Sequence, residues 1–177
     1  MPNFSIAPAS LHRLRRRLQA ADPQTTAALL QDAGFATGEA LAGRWREQLR
    51  LRAHLDEPGQ LDREWFAPLL AELCATLGWG TLSIDDMDDQ AVLFSSGDWR
   101  EAEAGTSPHP ACHFSCGALA AFLTTQAGTP MAVLEVECRS RGDTHCRFLG
   151  GSGEMLAAVY DLLNAGRPWR DGIAGPG

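Results

Sequence analysis

The sequence predicts an α+β domain in which helices pack on a small antiparallel sheet. Three observations predict it. Apolar residues recur at helical spacing up to Leu77. After Gly78, and again after Gly128, the period changes to the alternation of short strands. The order is helices, hairpin, helix, hairpin, helix, with no strand–helix–strand alternation, repeat or low-complexity block.

Each element follows from its residues. Leu11, Leu14 and Leu18 make residues 9–21 a helix. Asp22-Pro23 suits an N-cap followed by proline, and TTAALLQDAG forms a short helix stopped by Gly34. Residues 35–55 form a third helix, with Phe35, Leu41, Trp45 and Leu49 inward and Gly38 and Gly43 permitting close packing. DEPGQ breaks the chain. A fourth helix runs from Asp62 to Leu77, where Pro68 implies a kink or a start nearer Trp65. Trp65, Leu69, Leu73 and Thr76 make one apolar stripe and Phe66, Leu70, Cys74 and Leu77 a second, which places this helix centrally.

TLSI and AVLFS flank the polar turn DDMDDQ, and residues 97–110 form a loop. CHFSCGALAAFLTTQAG is a fifth helix. MAVLEVEC and CRFLG are strands joined by the turn RSRGDTH, and GEMLAAVYDLLNA is a last helix. No boundary divides the chain: residues 1–166 form one domain, and 167–177 read as a frayed tail.

Composition narrows the function. The net charge is −7, which argues against a nucleic-acid binder. No apolar run approaches the roughly 18 residues of a membrane span, and the N-terminus lacks the apolar core of a secretory signal, so a cytoplasmic address is expected. All 15 basic residues are arginine, which excludes chemistry that needs a lysine. Arg13, Arg15, Arg16 and Arg17 read as a solvated helix face, with a docking patch as the rival. No GxSxG, GxGxxG, Walker or HExxH pattern is present. His109 and His145 read as solvated turn residues.

Of the five cysteines, Cys112, Cys116, Cys138 and Cys146 fall in one short stretch. In the segment LEVECRSRGDTHCRF, Glu135 and Glu137 point to one face of a strand and Cys138 to the other. For Glu135 and Cys138 to converge, the strand must bend or bulge near 137–138. Cys138 and Cys146 then flank a hairpin tip. Three thiolates and a carboxylate, Cys112, Glu135, Cys138 and Cys146 with Cys116 as the alternate, suit tetrahedral zinc. Spacing alone leaves buried free thiols and a disulfide or redox pair open.

The stretch PHPACHFSCGALAAFLTTQAGTPMAVLEVECRSRGDTHCRF resembles the signature of the vinyl-4-reductase (4VR) domain family. DAGFATGEAL, LAELCATLGWGTLSI and AVLFSSGDWREAEA are similar to its earlier elements, so the likeness spans roughly residues 10–165. It implies the α+β fold shared with the ligand-binding domain of nitric-oxide signalling proteins and with Golgi transport proteins. It also implies binding of a small apolar or aromatic molecule rather than catalysis. A role in reducing a bacteriochlorophyll vinyl group is the enzymatic rival, and an interaction module or thiol redox sensor is another.

Likeness to the phenol- and xylene-sensing members implies zinc on Cys112, Glu135, Cys138 and Cys146, and selects Glu135 over Glu137. The His and Trp that hold a phenolic hydroxyl in those sensors have no clear counterpart: no histidine lies between His54 and His109, and Phe94 stands near the Trp position. The expected pocket walls are Trp65, Phe66, Trp79, Phe94, Trp99, Phe114, Cys116 and Val133. The sensors' ATPase and DNA-binding segments have no likeness here, so a homodimer acting through a separate effector protein is expected.

Overall fold

The computed structural model describes residues 7–88 and 91–173. The tip of the first hairpin, Asp89-Gln90, and both extreme termini lie outside the described residues. Six helices occur: α1 (Pro8–Ala21), α2 (Thr26–Phe35), α3 (Gly38–Ala53), α4 (Arg63–Thr76), α5 (His113–Ala127) and α6 (Gly153–Asn164). Four strands form one antiparallel sheet: β1 (Ser83–Asp88), β2 (Ala91–Ser96), β3 (Ala132–Glu137) and β4 (Cys146–Gly151), in the order β1-β2-β4-β3. The α+β class and the element order are as the sequence predicts.

The sheet separates two cores. One face packs Phe94, Val133, Cys146 and Phe148 against α5, α3 and α4, with Trp45, Leu49, Leu70, Leu119 and Phe122. The other packs Leu93, Val136 and Leu149 under α6, with Leu156, Val159 and Trp169. Alternation on the strands supplies both faces. Helix α5 is buried nearly all round, from Ser115 to Leu123, which fits its lack of a polar stripe.

Helices α2 and α5 meet backbone to backbone. A Cβ on Gly34 would lie 2.0 Å from the Phe114 carbonyl oxygen, and one on Gly117 would lie 2.0 Å from that of Gln31. A Cβ on Gly38 would lie 2.2 Å from the Ala121 Cβ. Gly38 therefore serves the close packing expected of it. Gly43 does not, since nothing lies within 4 Å of its Cβ position. Gly34 is a packing residue inside α2 rather than a stop. With Gly34 turned to α5, Phe35 faces outward and is 51% exposed, contrary to its expected inward position.

Three further expectations are corrected. Strand β1 runs through Asp88, so Asp85–Asp88 belong to the strand and not to the turn. Helix α4 starts at Arg63 and continues through Pro68; Pro68 sits on the exposed side, where the carbonyl it leaves unpaired faces water. Leu69, Leu70, Leu73 and Cys74 are the buried residues of α4, while Trp65 and Thr76 are exposed. The segment after α6 does not fray over its described part. Trp169 starts a 3-10 turn, is buried, and donates its indole N–H to Glu137 at 3.2 Å.

The glycine contacts give a paired prediction. Gly117→Val should destabilise the fold by about 1–3 kcal/mol or more, because the obstructing atoms are backbone. Gly43→Ala, in open space on a helix, should be neutral or stabilising by up to about 1 kcal/mol. Urea unfolding of both variants checks this.

Candidate metal centre

Three of the candidate ligands sit on one hairpin and the fourth on α5. The strand register shifts between Glu135 and Glu137, so that Glu135 pairs with Phe148 and Glu137 with the next residue, Arg147. One extra residue in β3 is a bulge. It lets Glu135 and Cys138 share a face although they are three apart, and it separates Glu135 from Glu137. Glu135 is buried toward α5. Glu137 turns to the other side, where it binds Arg147 at 2.5 Å and receives the Trp169 indole. The expectation of a bend near 137–138 and the choice of Glu135 both agree with this geometry. The placing of the two glutamates on one face does not survive the bulge.

The turn between the strands holds Cys138 in place. Gly142 has φ +109, the left-handed region open to glycine. This lets Asp143 fold back, and its carboxylate accepts the Cys138 backbone N–H at 2.7 Å while pairing with Arg141. The Cys138 carbonyl accepts from Arg141 and Asp143. Cys112 is the N-cap residue of α5.

Cys112, Glu135, Cys138 and Cys146 converge: their ligand atoms all lie within 4.8 Å of one another, and all four residues are buried. The Cys112 sulfur is 3.9 Å from both the Cys138 and the Cys146 sulfur. That is far beyond a disulfide bond of about 2.05 Å, and all five cysteines are free. Cys116, the alternate ligand, is buried one turn along α5 but is not part of the cluster.

Glu135 divides its two oxygens. Oε2 accepts the backbone N–H groups of Ala111 (3.0 Å) and Cys112 (2.9 Å). Oε1 is buried with no hydrogen-bond partner among the described residues. Burial, and then the neighbouring Cys138 sulfur, push the Glu135 carboxyl up to about 9. Burial likewise holds the Cys112 thiol well above its usual range. Cys138 is held below it, because the Cys112 and Cys146 thiols both hydrogen-bond to its sulfur. Four groups able to carry negative charge thus share one dry site. This donor set could hold a metal ion.

Around the cluster runs a second polar network that sequence reasoning missed. Glu101 is buried, and its carboxylate accepts from the N–H groups of Phe114 (3.0 Å) and Ser115 (2.8 Å) and from the Ser115 hydroxyl. Trp99 donates its indole N–H to the same hydroxyl at 2.8 Å. Burial pushes the Glu101 carboxyl up to about 7, against those donors. Arg15 is buried too, correcting its reading as part of a solvated face. It donates to the carbonyls of Glu101 (3.0 Å) and Ala111 (3.4 Å). Arg16 pairs with Glu103. The pairing of α1 with a loop far along the chain leaves no local pattern to read.

The expected pocket residues fall in three places. Trp99 lies between Trp79 (5.8 Å between ring centroids) and Phe148 (5.4 Å), and Phe94, Cys116 and Val133 are in the same core. Phe66 meets Trp45 edge-on at 5.6 Å and stacks on Phe122 at 6.4 Å. Trp65 is exposed and lines a groove of about 480 Å³ between the end of α3 and the start of α4, with Leu55, Leu61, Pro68 and Leu69. Phe114 is partly buried. The structure does not gather these eight into one cavity. Trp45, an inward residue by its spacing, has its indole N–H buried with no partner among the described residues.

No curated protein matches the chain. The fold is that of the phenol-responsive sensory domain of the transcription activator PoxR, solved with phenol, at 19% identity over 95% of this chain and 85% of that one, TM-score 0.73. A trafficking protein particle complex subunit 3 from Naegleria fowleri, covalently bound to palmitic acid, matches at 12% identity over 81% of this chain and 91% of that one, TM-score 0.61. A vinyl-4-reductase family protein from Methanocaldococcus jannaschii aligns over 47% of this chain and 55% of that one, at 23% identity and TM-score 0.42. No helix among the described residues is long and apolar enough to cross a membrane. Residues 100–152, the stretch that carries all four residues of the cluster, match the vinyl-4-reductase (4VR) domain family.

Proposed function

We propose that this chain is a small-molecule-binding sensory domain whose fold is closed by a structural zinc ion on Cys112, Glu135, Cys138 and Cys146. The observation that carries the metal is the Glu135 Oε1 atom, buried without a partner beside three sulfurs. An unpartnered buried polar atom is costly, and a cation in the cluster removes that cost. The spacing supports zinc: tetrahedral bonds of about 2.3 Å put sulfurs about 3.8 Å apart, against 3.9 Å here. With four protein ligands the ion has no open position for substrate. It joins α5 to the hairpin and supplies stability rather than catalysis.

The ligand reading is supported by the seam between α3 and α4. The Trp45 N–H has no partner among the described residues, and Phe66 and Phe122 pack on its ring. Leu69 belongs both to this core and to the 480 Å³ groove at the outer end of the seam. Cavities of that volume suit drug-sized, mainly apolar molecules with one or two polar contacts. The ligand would be apolar or aromatic with one hydrogen-bond acceptor. Trp65 and Phe66 are the predicted pocket residues that this seam uses. A homodimer that signals through a separate effector protein completes the proposal.

Native mass spectrometry should find one zinc per chain. A strong chelator should lower the melting temperature by about 10 °C, as expected from losing several kcal/mol in a domain of this size. Glu135→Gln should weaken zinc retention, and Glu137→Gln should leave it unchanged. Equal retention in both variants would exclude Glu135 as a ligand.

A thermal-shift panel of phenols, aryl ketones and fatty acids should contain at least one stabilising compound. Trp45→Phe, which removes the N–H and keeps a ring, should weaken that compound about 5–50-fold, the value of one buried hydrogen bond of about 1–2.5 kcal/mol. No shift with any of the compounds would count against a sensory pocket.

A further inference from the structure

The first turn of α5 is held by two buried carboxylates, and only one belongs to the metal cluster. A helix N-terminus presents amides with no partner in the helix, and an N-cap side chain commonly takes one of them. Here the N-cap is Cys112, which makes no side-chain capping bond. Its sulfur faces Cys138 and Cys146 instead. The amides go elsewhere: Ala111 and Cys112 to Glu135, Phe114 and Ser115 to Glu101. Glu101 is only 5% exposed, so its desolvation is a real cost. What that cost secures is the placement of the turn that begins with Cys112. Arg15 adds to it by binding the carbonyls at both ends of the segment 101–111 that leads into Cys112.

We infer that Glu101 is a positioning residue for the metal centre: it caps α5 in place of Cys112, so that the Cys112 sulfur is free to serve as a ligand. The inference rests on the metal reading above. Glu135, Cys138 and Cys146 ride on one hairpin and keep their mutual geometry. Cys112 alone comes from another element, and its place depends on the first turn of α5. Loosening that turn exposes the ligand that is easiest to detach. Glu101 touches none of the cluster atoms, and acts through backbone amides and Ser115.

The test loads the full chain with Co²⁺, whose visible absorption reports thiolate ligation and geometry, and follows release to a chelator. Glu101→Ala should speed release about 10–100-fold, the usual effect of removing a group that orients a ligand, and should alter the Co²⁺ spectrum. Glu101→Gln keeps one acceptor oxygen and should fall between Glu101→Ala and the parent. It also keeps the test open if Glu101→Ala does not fold. Leu156→Ala, in the core beneath α6 on the other face of the sheet, lowers stability without touching α5 and should release Co²⁺ at the parent rate. Parent-like release and spectrum in the folded Glu101 variants would overturn the inference alone. So would equal acceleration by Leu156→Ala at matched stability. A parent chain that takes up no Co²⁺ would overturn the metal reading and the inference with it.

Discussion

The N-terminus of α5 is the joint on which this structure depends. Four of its backbone amides end on two buried carboxylates, Glu135 and Glu101. Negative charge at that end is favoured by the helix dipole, which helps explain how both can be buried. Because Glu135 comes from β3 and Glu101 from the loop after β2, the helix start is fixed to the sheet at two points. The third fixed point is Arg15 of α1, which binds the same loop. The hairpin tip joins in as well, since Gly105 and Ser107 donate to the carbonyls of Arg139 and Ser140. Elements far apart in sequence thus meet around one short turn.

The rest of the fold sets the distance and angle of that joint. The β3 bulge brings Glu135 and Cys138 to the α5 face and sends Glu137 to the α6 face, where Arg147 and Trp169 take it up. Gly34 and Gly117 let α2 lie against α5 with no side chain between them, so the helix has little freedom to slide or roll. On the opposite core, Val136 and Trp169 pack under α6. A single extra residue in one strand therefore serves both sides of the sheet.

Much of this is legible in the sequence, for identifiable reasons. Periodicity locates all six helices and both hairpins, and the candidate ligands Cys112, Glu135, Cys138 and Cys146 stand out from it. Their chemistry is distinctive, and one hairpin brings three of them together locally. The bulge can be anticipated because Glu135 and Cys138 must converge on one face. What is not legible is non-local or lacks a characteristic residue type. Glu101 reads as an ordinary loop acid, and Arg15 as one of four helix arginines. Gly117 sits in a helix where nothing in the sequence shows that α2 crosses there. Residues 167–173 mislead because a Pro-rich, Gly-rich end suggests fraying, whereas one residue, Trp169, has both a core to enter and an acceptor for its N–H.

These arrangements distribute rigidity unevenly along α5. Its first turn is tied to the cluster and to Glu101, and its middle is in backbone contact with α2. Its last turns carry Phe122 and Leu123 into the seam with Trp45 and Phe66. From Cys112 to Phe122 is about 15 Å at 1.5 Å per residue, so the metal cluster and the seam lie near opposite ends of one buried helix. A helix fixed at its start and middle resists displacement by a molecule lodged at its far end. Across the seam, α4 has no comparable ties: its first residues and Trp65 are exposed, and Pro68 removes one of its internal hydrogen bonds. Strain introduced at the seam is therefore relieved more readily by α4 than by α5. In a domain built this way, the closed metal centre makes one wall of the seam stiff, and the response to a bound molecule falls on the other.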